Sequence, residues 1–145
     1  MSKPKKRPKY NQSSAIRSAL RRSFSRSPIV REVLMEGRRE VPKYRKDGSL
    51  ASKPAVQYCC QVCNQWVSST KVSVDHKEPV IPLDGSFDPQ NPDWNMFVER
   101  LWCDKSNLQR ICDICHQAKT NQEREARKQL KEAIENAKIA KIIVE

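Results

Sequence analysis

The sequence has 145 residues, of which 37% are hydrophobic and 6% aromatic, so it can form one domain with only a small apolar core. The basic N-terminus is not followed by an apolar stretch, and no later apolar run is long enough to span a bilayer, which disfavours export and membrane insertion. We therefore expect a cytoplasmic protein with no membrane partner. In a reducing compartment, its six cysteines predict metal ligands rather than disulfides.

The net charge of +11 is concentrated in the first third of the chain. Residues 1–46 contain 15 Lys and Arg against 3 Glu, a net charge of +12, and residues 47–145 contain 13 basic and 14 acidic side chains, a net charge of −1. This asymmetry predicts that residues 1–46 bind a polyanion. A segment whose charges merely keep the protein soluble is the alternative interpretation.

Two segments are predicted within this basic region. Residues 1–12 combine Lys, Arg and Pro with almost nothing to bury, which predicts a disordered basic arm. Residues 13–46 predict a basic helical extension with two short helices. Ser13 or Ser14 can cap the first helix, and Ser27-Pro28 provides an N-cap and a first helical residue for the second. The apolar sides of both helices would dock on the core and leave the guanidinium groups on the outside.

Residues 47–145 are predicted to form the main domain. At its start, Lys46–Ser49 has the residue types of a hairpin turn, so the flanking residues can pair weakly. Alternating residues predict one strand that begins at Val56 and another over Lys71–Val74, which ends at Asp75-His76.

A proline-rich insert, residues 77–106, follows the second strand. Within it, Asn91-Pro92 can begin a helix. The apolar stripe of that helix is expected to pack in the core and consists of Trp94, Phe97, Val98 and Leu101. After the last histidine, a long helix is expected to run to about Lys141, and Thr120 with Glu123 resembles a capping box that would interrupt it. Its narrow apolar stripe can pack on the N-terminal helices or on a second copy of the chain.

Four of the cysteines form two pairs, each separated by two residues. Two such turns can place four thiolates around one zinc ion, so a structural zinc site is the expected use of these residues. The predicted ligands are Cys60, Cys63, Cys112 and Cys115. Cys59 lacks this spacing, and Cys103 has no partner and is expected to be a buried thiol. Two redox-active motifs are disfavoured because no βαβ pattern surrounds either pair.

The chain has two histidines, His76 and His116, and each has a polar residue at a defined spacing before it in the sequence. Asp75 precedes the first, and Asn107 lies nine residues before the second. These residues occur in the order of the HNH nuclease motif. The chain from Cys60 to Lys119 resembles zinc-ribbon-containing HNH endonucleases, particularly the small ones encoded by bacteriophages and other mobile elements, and the resemblance extends more loosely to the basic N-terminal helices.

The resemblance implies an α+β fold: a small zinc-stapled ββα-metal core with basic N-terminal helices and a long C-terminal helix. It also implies hydrolysis of DNA phosphodiester bonds, with His76 as the general base and Asn107 holding the loop that orients it. Asp75 and His116 would bind a divalent cation. Mg²⁺ or Mn²⁺ suits one carboxylate and one imidazole, and Zn²⁺ or Ni²⁺ also fits. Thr120 stands where some family members have another histidine, so weak, exchangeable cation binding is expected.

Double-stranded DNA is the substrate that the resemblance implies. The side chains expected to contact it are Arg17, Arg21, Arg22 and Lys119, the last of which is as readily interpreted as an exposed helical lysine. Deleting residues 1–46 is expected to weaken DNA binding and leave the active site assembled. The phage resemblance implies action in a host cytoplasm, with phage packaging proteins or a second copy of the chain as further partners.

The alternative function is a non-catalytic zinc-ribbon protein that binds DNA, or acts as an adaptor, with a vestigial HNH site. It shares the four cysteines and the basic segment with the nuclease interpretation. A third interpretation, an RNA-binding, ribosome-associated zinc protein, fits the charge but gives no reason for the sequence Asp75-His76.

Overall fold

The computed structural model describes residues 9–144, so residues 1–8 of the predicted basic arm lie outside the described part. The α+β class is confirmed. The helices are α1 (Gln12–Ser25), α2 (Pro28–Met35), α3 (Trp94–Leu101) and α4 (Asp113–Val144). The strands are β1 (Arg38–Val41), β2 (Ala55–Cys59), β3 (Trp66–Ser68), β4 (Val72–His76) and β5 (Leu108–Cys112). Within the described residues, no helix combines the length and apolarity that crossing a membrane requires.

The strands form two small antiparallel sheets, one in the order β1-β2-β3 and one of β4 and β5. In the second sheet Asp75 lies opposite Gln109, and His76 lies opposite Leu108. The strands predicted from Val56 and Lys71 correspond to β2 and β4. Neither β1 nor β3 was predicted, because four and three residues are too short to display an alternating pattern.

Helix α1 begins earlier than predicted. Its N-cap is Asn11, whose side-chain Oδ1 accepts a hydrogen bond from Ser14 N at 2.9 Å. Ser13 and Ser14 therefore lie inside the first turn, and Asn11 and Gln12 belong to the helix end rather than to a disordered arm. Helix α2 begins at Pro28 after Ser27, as predicted.

The main core contains residues from both N-terminal helices. Its buried members are Phe24, Val33, Val80, Phe87, Phe97, Leu101 and Leu108. In addition, β1 belongs to residues 13–46 and pairs with β2, so the basic extension and the main domain share one sheet. Deleting residues 1–46 would remove two core side chains and an edge strand. The shared core and sheet therefore argue against the expectation that the active site stays assembled after this deletion.

Two helix boundaries in the second half differ from the prediction. Helix α3 is capped by Asp93, whose Oδ1 accepts a hydrogen bond from Met96 N at 3.0 Å, and it does not begin at Asn91-Pro92. Helix α4 begins at Asp113, before His116, and continues through Thr120 without a break. A polar residue inside a helix can have the residue pattern of a capping box without forming one, because its neighbours continue the backbone hydrogen bonds.

The buried guanidinium of Arg110 connects three elements. Its Nη1 donates to Val33 O at 2.6 Å, at the end of α2, and its Nε donates to Cys59 O at 3.1 Å, at the end of β2. Gly37 lies directly against this side chain: a Cβ at that position would lie 2.2 Å from Arg110 Nε. Only a residue without a side chain leaves room for the Arg110 guanidinium, which links β5 to α2 and β2.

We expect Gly37→Ala to lower the free energy of unfolding by about 1–3 kcal/mol, because the new methyl group displaces the Arg110 guanidinium from its carbonyl acceptors. Chemical denaturation of wild type, both single variants and the double variant would measure it. In an Arg110→Ala background the same substitution should cost much less, since the clashing atoms are gone. Equal costs in both backgrounds would contradict this account of Gly37.

Candidate metal centre and active site

The four predicted zinc ligands form one cluster. The Sγ atoms of Cys60, Cys63, Cys112 and Cys115 all lie within 4.8 Å of one another. A tetrahedral zinc with Zn–S bonds of about 2.3 Å needs sulfur separations of about 3.8 Å. The distance of 3.9 Å between the Sγ atoms of Cys63 and Cys112 matches that requirement, so the cluster can hold a zinc ion.

The first pair reaches the cluster from a tight turn after β2, and the second pair spans the junction between β5 and α4. In the first turn Asn64 adopts a left-handed conformation (φ 59°), and its N–H bonds to Cys60 O at 2.8 Å. The thiol of Cys60 also receives the N–H of Cys112 at 3.3 Å. Desolvation alone would raise the pKa of Cys60, but backbone N–H donors from Cys63, Cys112 and Val62 outweigh it and lower the pKa to about 6. These donors therefore favour a thiolate at Cys60, the form that binds metal. Contact with the other cluster thiols, first of all Cys112, raises the pKa of Cys115.

The other two cysteines lie outside the cluster, as predicted. Cys59 directs its Sγ toward Cys60 O at 3.7 Å, and Cys103 is half-buried against the main core. Because successive side chains of a strand alternate between faces, Cys59 cannot point with Cys60 toward the same metal.

The polar motif residues come together in a second place, a cavity of about 270 Å³ between β4, α1, α4 and the insert. Its wall includes the predicted Asp75, His76, His116 and Lys119, and it also includes Arg21, Glu123 and Arg127. Asn107 lies behind this wall, beside the loop that follows His76.

His76 is buried at the end of β4 and makes one specific hydrogen bond. Its Nε2 lies 2.8 Å from Leu101 O, and a carbonyl oxygen only accepts, so Nε2 carries the proton of the neutral ring. Nδ1 is then the basic nitrogen. The Phe24 ring packs against the imidazole with its centroid 5.0 Å away. Desolvation by this packing lowers the pKa of His76 below its usual value, although the hydrogen bond to Leu101 and the nearby Asp75 oppose the shift.

Asn107 holds the loop after His76 through its side-chain amide and its backbone carbonyl. Its Oδ1 accepts a hydrogen bond from Glu78 N at 2.9 Å, and its backbone carbonyl accepts one from Lys77 N at 2.7 Å. The Nδ2 group donates to Glu78 O at 3.4 Å. These bonds fix the two residues that follow His76, and with them the end of β4.

Asp75 and His116 face each other across the cavity. His116 Nε2 lies 4.0 Å from Asp75 Oδ1, with His116 on the first turn of α4. The other carboxylate oxygen, Oδ2, lies 2.9 Å from Lys119 Nζ, yet it is buried and receives no well-directed hydrogen bond. A carboxylate and an imidazole at this separation, with one incompletely satisfied oxygen, suit a divalent cation.

Lys119 lies between two carboxylates. Its Nζ is 2.9 Å from Asp75 and 2.5 Å from Glu123, which lies one helical turn further along α4. Desolvation lowers the pKa of Lys119, but the hydrogen bond to Glu123 and the close carboxylate of Asp75 outweigh it, so the pKa is raised. The sequence had suggested only a capping role for Glu123. The spacing of Lys119, Glu123 and Arg127 at successive turns was the signal that could have placed all three on one face.

The three arginines predicted to contact DNA differ in placement. Arg21 and Arg22 are exposed and Arg17 is half-buried. The guanidinium groups of Arg17 and Arg21 lie over aromatic rings, with their Cζ atoms 5.8 Å from the Phe87 centroid and 5.6 Å from the Phe97 centroid. Contact of these three arginines with DNA stays a prediction. Desolvation lowers the pKa of Arg21, and the charge of Arg17 lowers it further, while Asp75 opposes the shift.

The chain was compared with protein-family models, with characterised proteins and with solved structures, and none of the three comparisons gave a match. What the fold and the two sites define is therefore a class: an α+β protein with a zinc-competent cluster of four thiols and a polar cavity that contains two imidazoles, two carboxylates and three cations.

Cys60→Ser should abolish tight zinc binding and unfold much of the protein, whereas the adjacent Cys59→Ser should retain both zinc and fold. Metal binding contributes on the order of 10 kcal/mol to folding in comparable zinc peptides, and the thiol half of this protein has little apolar core to compensate. Metal analysis and circular dichroism, with and without a strong chelator, would measure both properties. A chain that stays folded and free of zinc in the chelator would contradict a structural role for the cluster.

Proposed function

We propose that the chain is a metal-dependent HNH endonuclease that hydrolyses phosphodiester bonds of double-stranded DNA. The observation that carries this proposal is the placement of a buried, neutral imidazole beside a carboxylate–imidazole pair. His76 has its basic nitrogen free, and Asp75 and His116 lie in the same cavity.

His76 is suited to take the proton from an attacking water. Its Nε2 bond to Leu101 leaves Nδ1 as the acceptor, and desolvation keeps the ring neutral at physiological pH. The water oxygen forms a bond to phosphorus as the bond from phosphorus to the 3′ oxygen breaks. The products are a 5′-phosphate and a 3′ oxygen that takes up a proton from solvent. Asn107 contributes by position, since it holds the backbone that follows His76.

Asp75 and His116 would hold the divalent cation, which would supply Lewis-acid stabilisation of the charge on the phosphate and the leaving oxygen. One carboxylate and one borderline nitrogen favour Mg²⁺ or Mn²⁺ and also accommodate Zn²⁺ or Ni²⁺. Two protein ligands are few, and the neighbouring Lys119 repels a cation, so weak and exchangeable binding is expected.

Three cations in the cavity suit a phosphate group. Arg21, Lys119 and Arg127 outnumber Asp75 and Glu123, so the cavity carries a net positive charge when both histidines are neutral. We propose that Lys119 and Arg21 contact the scissile phosphate and that the exposed Arg22 contacts a neighbouring one. Arg17 lies against Phe87 with its Nε buried and unbonded. It would therefore assist DNA binding through its positive charge rather than through a direct phosphate contact.

The alternative function is a zinc-ribbon DNA-binding protein with a vestigial nuclease site. One observation favours it: Lys119 already neutralises Asp75, as a lysine would in a site that has lost its metal. The placement of Asn107 and His76 favours the nuclease, because a binding module has no need for a positioned imidazole with a free basic nitrogen.

The nuclease proposal is tested by His76→Ala and His76→Gln, which remove the base. Loss of a general base costs about 10²–10⁴-fold in rate, so plasmid cleavage with Mg²⁺ or Mn²⁺ should nearly disappear. Zinc content and DNA affinity should stay close to wild type. In contrast, His116→Ala should regain part of its activity at high cation concentration. Full cleavage by both His76 variants would rule out His76 as the base, and a wild-type protein that binds but never cuts would support the alternative.

Lys119→Met should bind Mn²⁺ on the order of tenfold more tightly than wild type and cleave DNA more slowly, because the substitution removes a positive charge beside Asp75 and a phosphate contact. Electron paramagnetic resonance of free Mn²⁺ measures the binding without reference to activity. Lys128→Met, an exposed lysine on the same helix, is the control and should leave Mn²⁺ binding unchanged. Equal Mn²⁺ affinities for all three proteins would mean that the cation does not bind at Asp75.

A further inference from the structure

Arg39 on β1 is held rigidly at the surface without a neutralising partner. Its Nε and Nη2 donate to Gln57 Oε1 at 2.9 and 2.7 Å, and its Cζ lies 4.0 Å from the centroid of the Trp66 ring. Within residues 9–144, no carboxylate forms an ion pair with it. The guanidinium is therefore oriented in advance, and its remaining N–H groups are available to an anion.

The neighbouring Arg38 points to the opposite face and is neutralised there. It bonds to Glu40, two residues along the same strand. On that inner face Val67 packs against the small core around the thiol cluster. The outer face, which carries Arg39, Gln57 and Trp66, is thus the positively charged and exposed one, with 38% of Trp66 accessible.

The hairpin that joins β1 to β2, residues 42–54, extends this charged face away from the core. Its two arms are held by bonds from Arg45 N to Ser49 O and from Ala51 N to Lys43 O, both 2.8 Å, and Gly48 turns the chain with φ 82°. The predicted pairing around Lys46–Ser49 is therefore confirmed. Its basic side chains are exposed and are Lys43, Arg45, Lys46 and Lys53.

The acidic residues of this region are engaged internally. Residues 38–54 contain six basic and two acidic side chains, a net charge of +4. Glu40 is bound to Arg38, and Asp47 accepts hydrogen bonds from the N–H and the hydroxyl of Ser49 at 2.9 and 2.6 Å. The other basic groups consequently face solvent with little compensating negative charge nearby.

We propose that the outer face around Arg39 and Trp66, together with hairpin 42–54, is a second contact surface for duplex DNA, separate from the catalytic cavity. This inference rests on the proposed function, because it takes the polyanion to be DNA. A two-stranded antiparallel ribbon fits the major groove of B-DNA, and one arm from Val41 to Asp47 reaches roughly 20 Å. A pre-oriented arginine beside an aromatic ring at the base of the ribbon suits a phosphate of the adjoining backbone.

The experiment measures the affinity of full-length variants for a 30-base-pair duplex without divalent cation, by fluorescence anisotropy over a salt series. Arg39→Gln should weaken binding and reduce the slope of log K against log salt by about 0.9, and Lys43→Gln/Arg45→Gln/Lys46→Gln should reduce it by up to about 2.7. The charge-neutral control Arg38→Gln/Glu40→Gln, on the same strand and the opposite face, should keep the wild-type slope. Zinc content and melting temperature establish that each variant is folded.

Unchanged slopes in both the Arg39 and the hairpin variants would overturn the inference. So would tighter binding of an RNA duplex of the same length, or of poly-glutamate, that depends on Arg39 to the same extent, since the surface would then be built for another partner. The outcome is separable from that of the nuclease proposal. If the protein binds DNA through Arg39 but never cuts it, the contact surface stands and the nuclease proposal fails. If the protein cuts short duplexes but Arg39→Gln leaves the salt slope unchanged, the nuclease proposal stands and the contact surface fails.

Discussion

The cluster of four thiols is the constraint on which the arrangement of this protein depends. It joins the turn between β2 and β3 to the junction between β5 and α4, where the buried core, within residues 9–144, consists of Cys60, Ile111 and Cys112. Apolar burial of that size contributes only a few kcal/mol, so a bound metal would be the dominant link between these elements. The polar cavity includes elements that meet at the cluster or pair with a strand that does. Strand β5 aligns Asp75 and His76 through its ladder with β4, and α4 starts at the cluster and presents His116 on its first turn.

Charge balance inside the cavity sets a compromise between holding a cation and holding a phosphate. Asp75 is shared between His116, at 4.0 Å, and Lys119, at 2.9 Å, while Glu123 fixes Lys119 from the other side. In the proposed nuclease, this lysine would compensate a buried carboxylate while no cation is bound, and it would donate to a phosphate once a cation is bound at Asp75. The same lysine would lower the affinity for that cation, so the arrangement predicts weak, exchangeable metal binding.

The basic N-terminal third is a structural part of the domain. Phe24 packs on the imidazole of His76, Arg110 binds the end of α2, and β1 completes the first sheet. Two of the arginines expected to contact DNA, Arg17 and Arg21, lie over aromatic rings, since a long side chain can pack its stem on apolar surface while its charged end stays near solvent. Exposed basic side chains of this third are found on α1, at Arg21 and Arg22, and also around Arg39 and the hairpin.

The sequence by itself determined the four thiols of the cluster, the strand that begins near Val56, and the strand that ends at Asp75-His76. These follow from local signals, namely two-residue spacing and alternation, which need no knowledge of the rest of the chain. Tertiary structure alone decided the packing of Arg17 and Arg21 over aromatic rings, the strands β1 and β3, and the membership of Glu123 and Arg127 in the cavity. Each of these depends on which elements lie opposite each other after folding. A guanidinium or a carboxylate on a helix faces solvent or a cavity according to its neighbours from distant parts of the chain, and residue spacing does not encode those neighbours.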